Sequence, residues 1–389
     1  MKKTIPALTF DIEKDGWEAS RGFIMRQIPM PALDEANNPK DRVSVILKIK
    51  YAGVCGSDRG IWNRNAFKDA IHNSLKKKGV TTRILGHEFV GEIVQMGSMV
   101  KTLYADSFSK EKLEVGSLVS GDSHITCGKC YQCRIGENNV CINEAILGIS
   151  IDGIFATYVK IPAKNLWPVD VAAVRPEIAA MLDPFGNAVH AISKFDARGK
   201  DVAVLGAGPI GLFSILLLKN SGASKIIVAD GNKENLDLAR ELGATDIAQV
   251  KERETITPAI LALTDGRGVD ATMEMAGPNS SVNTSIEITR RGGQVILFGL
   301  KDGDFTIPKF STIITKGLTL HGVIGRRIFE TWQTAQRMLA KKSNGIQDNI
   351  WNVILKKGEG TIIPFSQYQK EAVQKAMELS PKIIFNMET

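Results

Sequence analysis

The first part of the chain alternates apolar and polar residues with a period of two, and glycines interrupt the alternation at short intervals. VSVILKIKYAG (43–53), HEFVGEIVQMG (87–97) and FATYVKIP (155–162) are the clearest runs. Period two places successive side chains on opposite faces of a strand, so the pattern predicts an antiparallel β domain. After about Val174 the pattern changes. Strand-like DVAVL (201–205) precedes an apolar helix from Pro209 to about Ser221, and KIIVAD (225–230) precedes a helix over KENLDLARELG (233–243). DIAQV, PAILALTDG, VDATMEMAG, SVNTSIEITR and QVILFGL continue the alternation. Strands alternating with helices predict a parallel sheet covered on both faces. The tail returns to the first style, with amphipathic helices near 329–341 and 366–379 and a last strand KIIFNM. The predicted fold is α/β: a β-rich domain over 1–173 and 324–389, with a doubly wound domain over 174–323 inserted into it.

Length agrees with two domains, since 389 residues exceed what one core usually holds, roughly 250 to 300. Composition is that of a globular protein, 43% hydrophobic and 23% charged. The net charge of +7 is dispersed, and its densest run is Lys76, Lys77 and Lys78. Such a run is a solvated face and lacks the interleaved aromatics of a nucleic-acid surface, though a mild basic balance suits an anionic cofactor. The N-terminal segment has no apolar core of a signal peptide, and the longest apolar stretch, IGLFSILLL (210–218), is too short to span a bilayer. The chain is expected in the cytoplasm, without a membrane or nucleic-acid partner.

The segment GAGPIG supplies Gly206, Gly208 and Gly211, directly after a predicted buried strand and at the start of a helix. In that context the first glycine permits a tight turn, the second lets the backbone approach a pyrophosphate, and the third lets helix and strand pack closely. The helix N-terminus offers free N–H groups and partial positive charge to the phosphates. Asp230 ends the next strand, 19 positions after Gly211, where an acid would hold the ribose hydroxyls of NAD and repel the 2′-phosphate of NADP. Lys233 nearby weakens that preference. Pro209, Ile210 and Gly299 complete the candidate cofactor-binding set.

Four of the five cysteines, Cys127, Cys130, Cys133 and Cys141, crowd into one stretch with two, two and seven residues between them. This spacing lets four thiolates converge on one tetrahedral, structural zinc. Cys55 in AGVCGSD and His87 with Glu88 in LGHEFVG lie beside Gly-rich turns. One Cys, one His and a carboxylate from separate turns suit an open zinc site. Taken singly, Cys55 reads as a small buried residue and His87 as a core histidine; together they point to a catalytic metal.

These segments resemble the zinc-dependent medium-chain alcohol dehydrogenase family. GHEFVGEIVQMGSMV (86–100) is similar to its zinc signature, and the four-Cys lobe and GAGPIG follow in the family's order. The resemblance covers nearly the whole chain and implies a GroES-like catalytic domain joined to a Rossmann domain. Within the family, GDSHITCGKCYQC, LDPFGNAVHA and GVIGRRIFETW resemble the threonine dehydrogenase branch. It implies a catalytic zinc held by Cys55 and His87, with Glu88 and Asp183 as further or exchanging ligands. It also implies Ser57 as the hydroxyl meeting the substrate alcohol, and His124 and Arg326 as substrate contacts. The implied reaction is hydride transfer from a small secondary alcohol to NAD. By analogy the chain forms a homo-oligomer, a dimer or tetramer.

One departure matters. The threonine enzymes carry a relay histidine two residues after CGTD; here CGSDRG places Gly60 there. His72, in a long segment between Cys55 and His87, is a possible substitute. CGSDRG is also similar to the sugar dehydrogenases of the family, and further insertions occur at the N-terminus and over 101–115. A polyol or sugar dehydrogenase is therefore the alternative reading. A silent binding protein and a zinc-ribbon nucleic-acid binder are the readings from other classes, separated by metal content and salt-dependent DNA binding.

Overall fold

The computed structural model describes residues 3–107, 112–251, 256–300 and 303–389. Part of the 101–115 insertion, residues 108–111, lies outside the described residues. Two compact units emerge. Met1–Asp183, Gln336–Lys342 and Leu355–Thr389 form the first, and Pro184–Ala335 with Ser343–Ile354 the second. The sequence pattern changes at about 173 and 323 instead, because it marks where strands give way to helices and not which core a helix joins.

The first unit contains strands β1 (Thr4–Asp11), β2 (Ile24–Pro29), β3 (Ser44–Gly53), β4 (Thr82–Ile84), β5 (Glu88–Met96) and β6 (Leu118–Gly121). It continues with β7 (His124–Ile125), β8 (Ala145–Ile146), β9 (Tyr158–Pro162) and β10 (Leu166–Pro168). The second holds β11 (Asp201–Leu205), β12 (Lys225–Asp230), β13 (Asp246–Gln249), β14 (Val269–Glu274), β15 (Thr289–Leu297) and β16 (Thr319–Gly322). In the tail, β17 (Ile362–Pro364) and β18 (Ile384–Asn386) return to the first unit.

In the first unit β3 is central, pairing antiparallel with β5, β9 and β18. Val45, Leu47 and Ile49 of β3 join Phe10, Phe23, Phe89, Phe155 and Phe385 in one buried cluster. The register at its C-terminal end positions the site. Gly53 lies opposite Glu88 of β5 on one side and Ile384 of β18 on the other. Cys55, just past β3, thereby comes beside His87, just before β5. A Cβ at Gly53 would overlap the Glu88 carboxylate, so the close approach of these strand ends requires glycine.

The second unit is a six-stranded, wholly parallel sheet in the order β13-β12-β11-β14-β15-β16. Numbered within the sheet this is 3-2-1-4-5-6, the doubly wound arrangement. The order reverses between β11 and β14, so connections leaving their C-terminal ends diverge and open a crevice. The helix Pro209–Asn220 buries every residue from Gly211 to Leu218, which explains why its sequence is apolar all round. No helix among the described residues is long and apolar enough to cross a membrane.

Candidate active site

Cys55 begins the site. It caps the short helix Gly56–Trp62, where Asp58 Oδ2 accepts the Cys55 backbone N–H at 2.9 Å. The same carboxylate turns its other oxygen toward the His87 ring, with Oδ1 3.5 Å from Nδ1. His87 Nε2 lies 3.2 Å from the Ser57 hydroxyl. Asp58, His87 and Glu88 are all buried. Burial disfavours charge on His87, but the Asp58 carboxylate and the Cys55 sulfur outweigh it and raise its pKa well above the usual value. A cation at this place would reverse the balance, since ligation takes the neutral imidazole.

Glu88 is compensated from the far end of the chain. Lys382, fully buried just before β18, pairs with the Glu88 carboxylate and donates to Val54 O at 3.0 Å. Glu88 Oε1 and His87 Nδ1 are left without hydrogen-bond partners. Ligand atoms of Cys55, His87 and Glu88 all lie within 4.8 Å of one another. Buried, unsatisfied polar atoms grouped around a sulfur are what a site for a divalent metal requires, so the donor set fits zinc.

The four cysteines of the lobe also converge, with their sulfurs within 4.8 Å of one another. All are free thiols, and the 3.9 Å separation of Cys130 and Cys141 sulfurs is far beyond a disulfide bond. Tetrahedral ligation at about 2.3 Å sets sulfurs about 3.8 Å apart, so this geometry fits zinc. Backbone N–H groups of Lys129 and Cys130 bring the Cys127 thiol down to about 6, whereas burial and neighbouring thiols push Cys133 up to about 12.

The glycine turn of the second unit joins β11 to the helix Pro209–Asn220. Gly206 adopts φ +103°, and a Cβ at Gly211 would overlap the Gly206 carbonyl. Gly208, by contrast, faces open space at the helix N-terminus. Pro209 and Ile210 form the first helical turn. Asp230 Oδ2 accepts the Ala207 N–H at 2.6 Å, and Oδ1 accepts that of Asn232 at 2.7 Å. The carboxylate is therefore fixed beside the turn. Gly299, past the end of β15, packs so tightly on Gly277 that a side chain there would overlap it.

Comparison with known proteins agrees with both halves. The alcohol dehydrogenase GroES-like domain family matches residues 41–171, and the zinc-binding dehydrogenase family matches 209–341. An L-threonine 3-dehydrogenase from Bacillus licheniformis is 38% identical over 82% of this chain and 84% of its own length. The chain belongs to the zinc-dependent medium-chain alcohol dehydrogenase family. Another L-threonine 3-dehydrogenase, from Caldanaerobacter subterraneus, is 34% identical over 90% of each chain. Among solved structures, galactitol-1-phosphate dehydrogenase from Escherichia coli shares the fold with a TM-score of 0.76 at 24% identity, covering 98% of this chain and 99% of that one. The protein is thus an oxidoreductase of the alcohol dehydrogenase type, with zinc and a nicotinamide dinucleotide as its cofactors.

Other candidate residues of this dehydrogenase fall in several places. Asp183 is buried and accepts the Ser123 N–H at 3.2 Å, outside the Cys55–His87–Glu88 group. His124 Nδ1 pairs with Glu144 Oε2 at 2.6 Å. Arg326, in the second unit, is buried and donates to Asn187 Oδ1 at 3.1 Å. His72 packs against Phe10 and Trp17, with ring centroids 6.1 and 5.7 Å away. The relay position is sterically closed, because a Cβ at Gly60 would lie 2.7 Å from that of Ala66. Sequence reasoning missed Asp58, Lys382 and Glu144. Asp58 had a signal, since an acid three residues after a helix cap reaches back to the cap N–H. Lys382 and Glu144 had none, because tertiary pairing alone brings them to their partners.

Proposed function

We propose that this dehydrogenase oxidises the secondary hydroxyl of L-threonine with NAD, giving 2-amino-3-oxobutanoate. The observation that carries the catalytic reading is the convergence of Cys55, His87 and Glu88 beside the Ser57 hydroxyl. The threonine reading rests on relatives of that name at 33–38% identity over most of the chain. Bound zinc would polarise the substrate hydroxyl and bound NAD would accept the hydride. The residues of the chain supply the rest. Cys55 and His87 hold the metal, and the Asp58 carboxylate faces the imidazole, 3.5 Å from Nδ1, as an electrostatic neighbour. Glu88 is either ligand or electrostatic partner, with Asp183 as the alternative acid. Ser57, half-buried, takes the substrate hydroxyl proton while releasing its own to water. Gly208 and the N-terminus of its helix, with Pro209 and Ile210, seat the pyrophosphate; Asp230 takes the ribose, favouring NAD over NADP. Gly299 borders the cofactor. Cys127, Cys130, Cys133 and Cys141 hold the structural zinc. Arg326 is assigned a substrate contact by the resemblance alone. We place the protein in the cytoplasm, where thiols stay available to metal, as a homo-oligomer.

A second reading, oxidation of a polyol or sugar, is favoured by the closed position at Gly60, which removes the relay of the threonine enzymes. The test is NADH formation by zinc-loaded protein with L-threonine, sorbitol, myo-inositol, glucose and simple secondary alcohols. Preference for L-threonine supports the first reading; turnover only on polyols or sugars replaces it with the second. The metal site is tested by Cys55→Ala, which should abolish turnover and lower metal content from about two zinc to about one per chain. Full activity in that variant would refute the assignment.

A further inference from the structure

β7 and β8 form a two-stranded antiparallel ribbon in which His124 lies opposite Ile146 and Ile125 opposite Ala145. The chain between them, 126–144, runs out and back and carries all four lobe cysteines. The last of these, Cys141, accepts the Glu144 N–H on its carbonyl at 3.3 Å, which sets Glu144 at the foot of the ribbon. From there Glu144 Oε2 reaches His124 Nδ1 at 2.6 Å, with side chains 25% and 14% exposed. The backbone of His124 is fixed independently. Its N–H donates to Asp122 Oδ1 at 2.9 Å, and its carbonyl accepts from Asn165 Nδ2 at 2.8 Å. Glu144 is therefore the contact that decides how the ring is turned and which nitrogen holds the proton. A carboxylate on one imidazole nitrogen fixes the proton there and leaves the other to meet a ligand.

We propose that Glu144 is a positioning residue that holds His124 with Nδ1 protonated, so that Nε2 accepts a hydrogen bond from a donor group on the substrate. The proposal rests on the reading of His124 as a substrate contact and names the group it recognises. A carboxylate already paired with the ring cancels the charge an imidazolium would offer a substrate carboxylate. The partner of His124 is thus an ammonium or a second hydroxyl, chemistry shared by an amino alcohol and a polyol. Because Glu144 is placed by the turn after Cys141, the substrate end depends on the shape of the cysteine lobe.

The test uses zinc-loaded enzyme with NAD and, separately, L-threonine and sorbitol, to tell the ammonium from the hydroxyl. Glu144→Ala should raise KM for the substrate that turns over about tenfold, while kcat and KM for NAD stay within about twofold. Glu144→Gln keeps an acceptor oxygen and should recover most of that loss. Ring-nitrogen NMR of the five histidines, with His124 assigned through His124→Gln, should show the Nδ1–H form in the parent enzyme and a mixture in Glu144→Ala. Unchanged ring signals in Glu144→Ala would overturn the positioning role. A changed ring with unchanged KM would overturn its consequence for substrate. Unchanged KM in His124→Gln would overturn the reading of His124 as a contact, while the ring signals still decide what Glu144 does to it.

Discussion

Lys382 shows how a single side chain can decide the chemistry of residues 294 positions away. Its ammonium is fully buried against the Glu88 carboxylate, and each charge offsets the other, with the Arg59 guanidinium adding a second cationic neighbour to Glu88. Lys382→Met would leave the buried Glu88 without its direct partner, and should cost about 3 kcal/mol in urea unfolding, with Lys382→Arg losing much less. The double variant Lys382→Met with Glu88→Gln should regain most of the stability. An unchanged urea midpoint in Lys382→Met would show that Glu88 is not held by this pair. Cys55 and His87 were legible in the sequence because ligand type and glycine-flanked turns mark them locally. Lys382 was not, because its meaning comes from the register of β18 on β3, and a lysine in KIIFNM reads simply as the edge of a strand. Gly60 lies between these cases: the absence of a histidine was visible, but the contact with Ala66 that closes the position was not.

At the scale of elements, strand ends do the positioning, and two of them carry measurable consequences. Asp11 ends β1, and its carboxylate accepts the N–H groups of Glu13 and Lys14, both at 3.0 Å, and the hydroxyls of Thr81 and Thr82 at 3.1 and 2.6 Å. Burial alone would raise its pKa, yet these hydrogen bonds bring it down from 3.8 to about 2. A depressed folded-state pKa contributes stability that is present above the unfolded value and is lost as pH falls through the folded one. Asp11→Asn should therefore be less stable by about 1–2 kcal/mol at neutral pH, with the gap narrowing below about pH 4. A gap that stays constant as pH falls would mean the charge on Asp11 contributes nothing. Asp230 ends β12 and is held by two backbone N–H groups beside the glycine turn. Asp230→Ser should shift the ratio of kcat/KM for NAD over NADP toward NADP by at least about tenfold. An unchanged ratio would place cofactor choice elsewhere. β12 and the helix Pro209–Asn220 were legible because KIIVAD and the apolar run over 210–218 stand out in the sequence, whereas Thr4–Asp11 carried no such signal and was not read as a strand. The helix expected over 366–379 begins only at Lys370, since Phe365–Gln367 forms a separate tight turn. Amphipathic spacing locates a helix better than its first residue.

For the whole molecule, the six-stranded sheet leaves one question that its topology makes specific. β16 closes the sheet on one side and pairs only with β15 among the described residues. Thr319, Leu320 and Gly322 on this strand are exposed, and Phe310 and Ile314 at the adjoining helix Ser311–Lys316 are 59% and 70% exposed. An open strand edge flanked by apolar side chains invites another strand, and isolated proteins usually blunt such edges with charge or proline. A second copy offers the same strand about a two-fold axis, which would join two sheets and cover both apolar flanks in one self-complementary contact. The homo-oligomer proposed above is therefore predicted to join at this edge, an assembly that only the solution mass can establish. Leu320→Lys combined with Ile314→Glu should convert the assembly to a smaller species by light scattering after gel filtration. NAD affinity should stay within about twofold, because the glycine turn lies at β11, on the other side of the sheet's centre. A parent protein that is already monomeric would remove the prediction. A variant that keeps the parent's mass would move the interface to another face, and the exposed Tyr131 and Ile142 of the cysteine lobe, each 72% exposed, would be the next surface to alter.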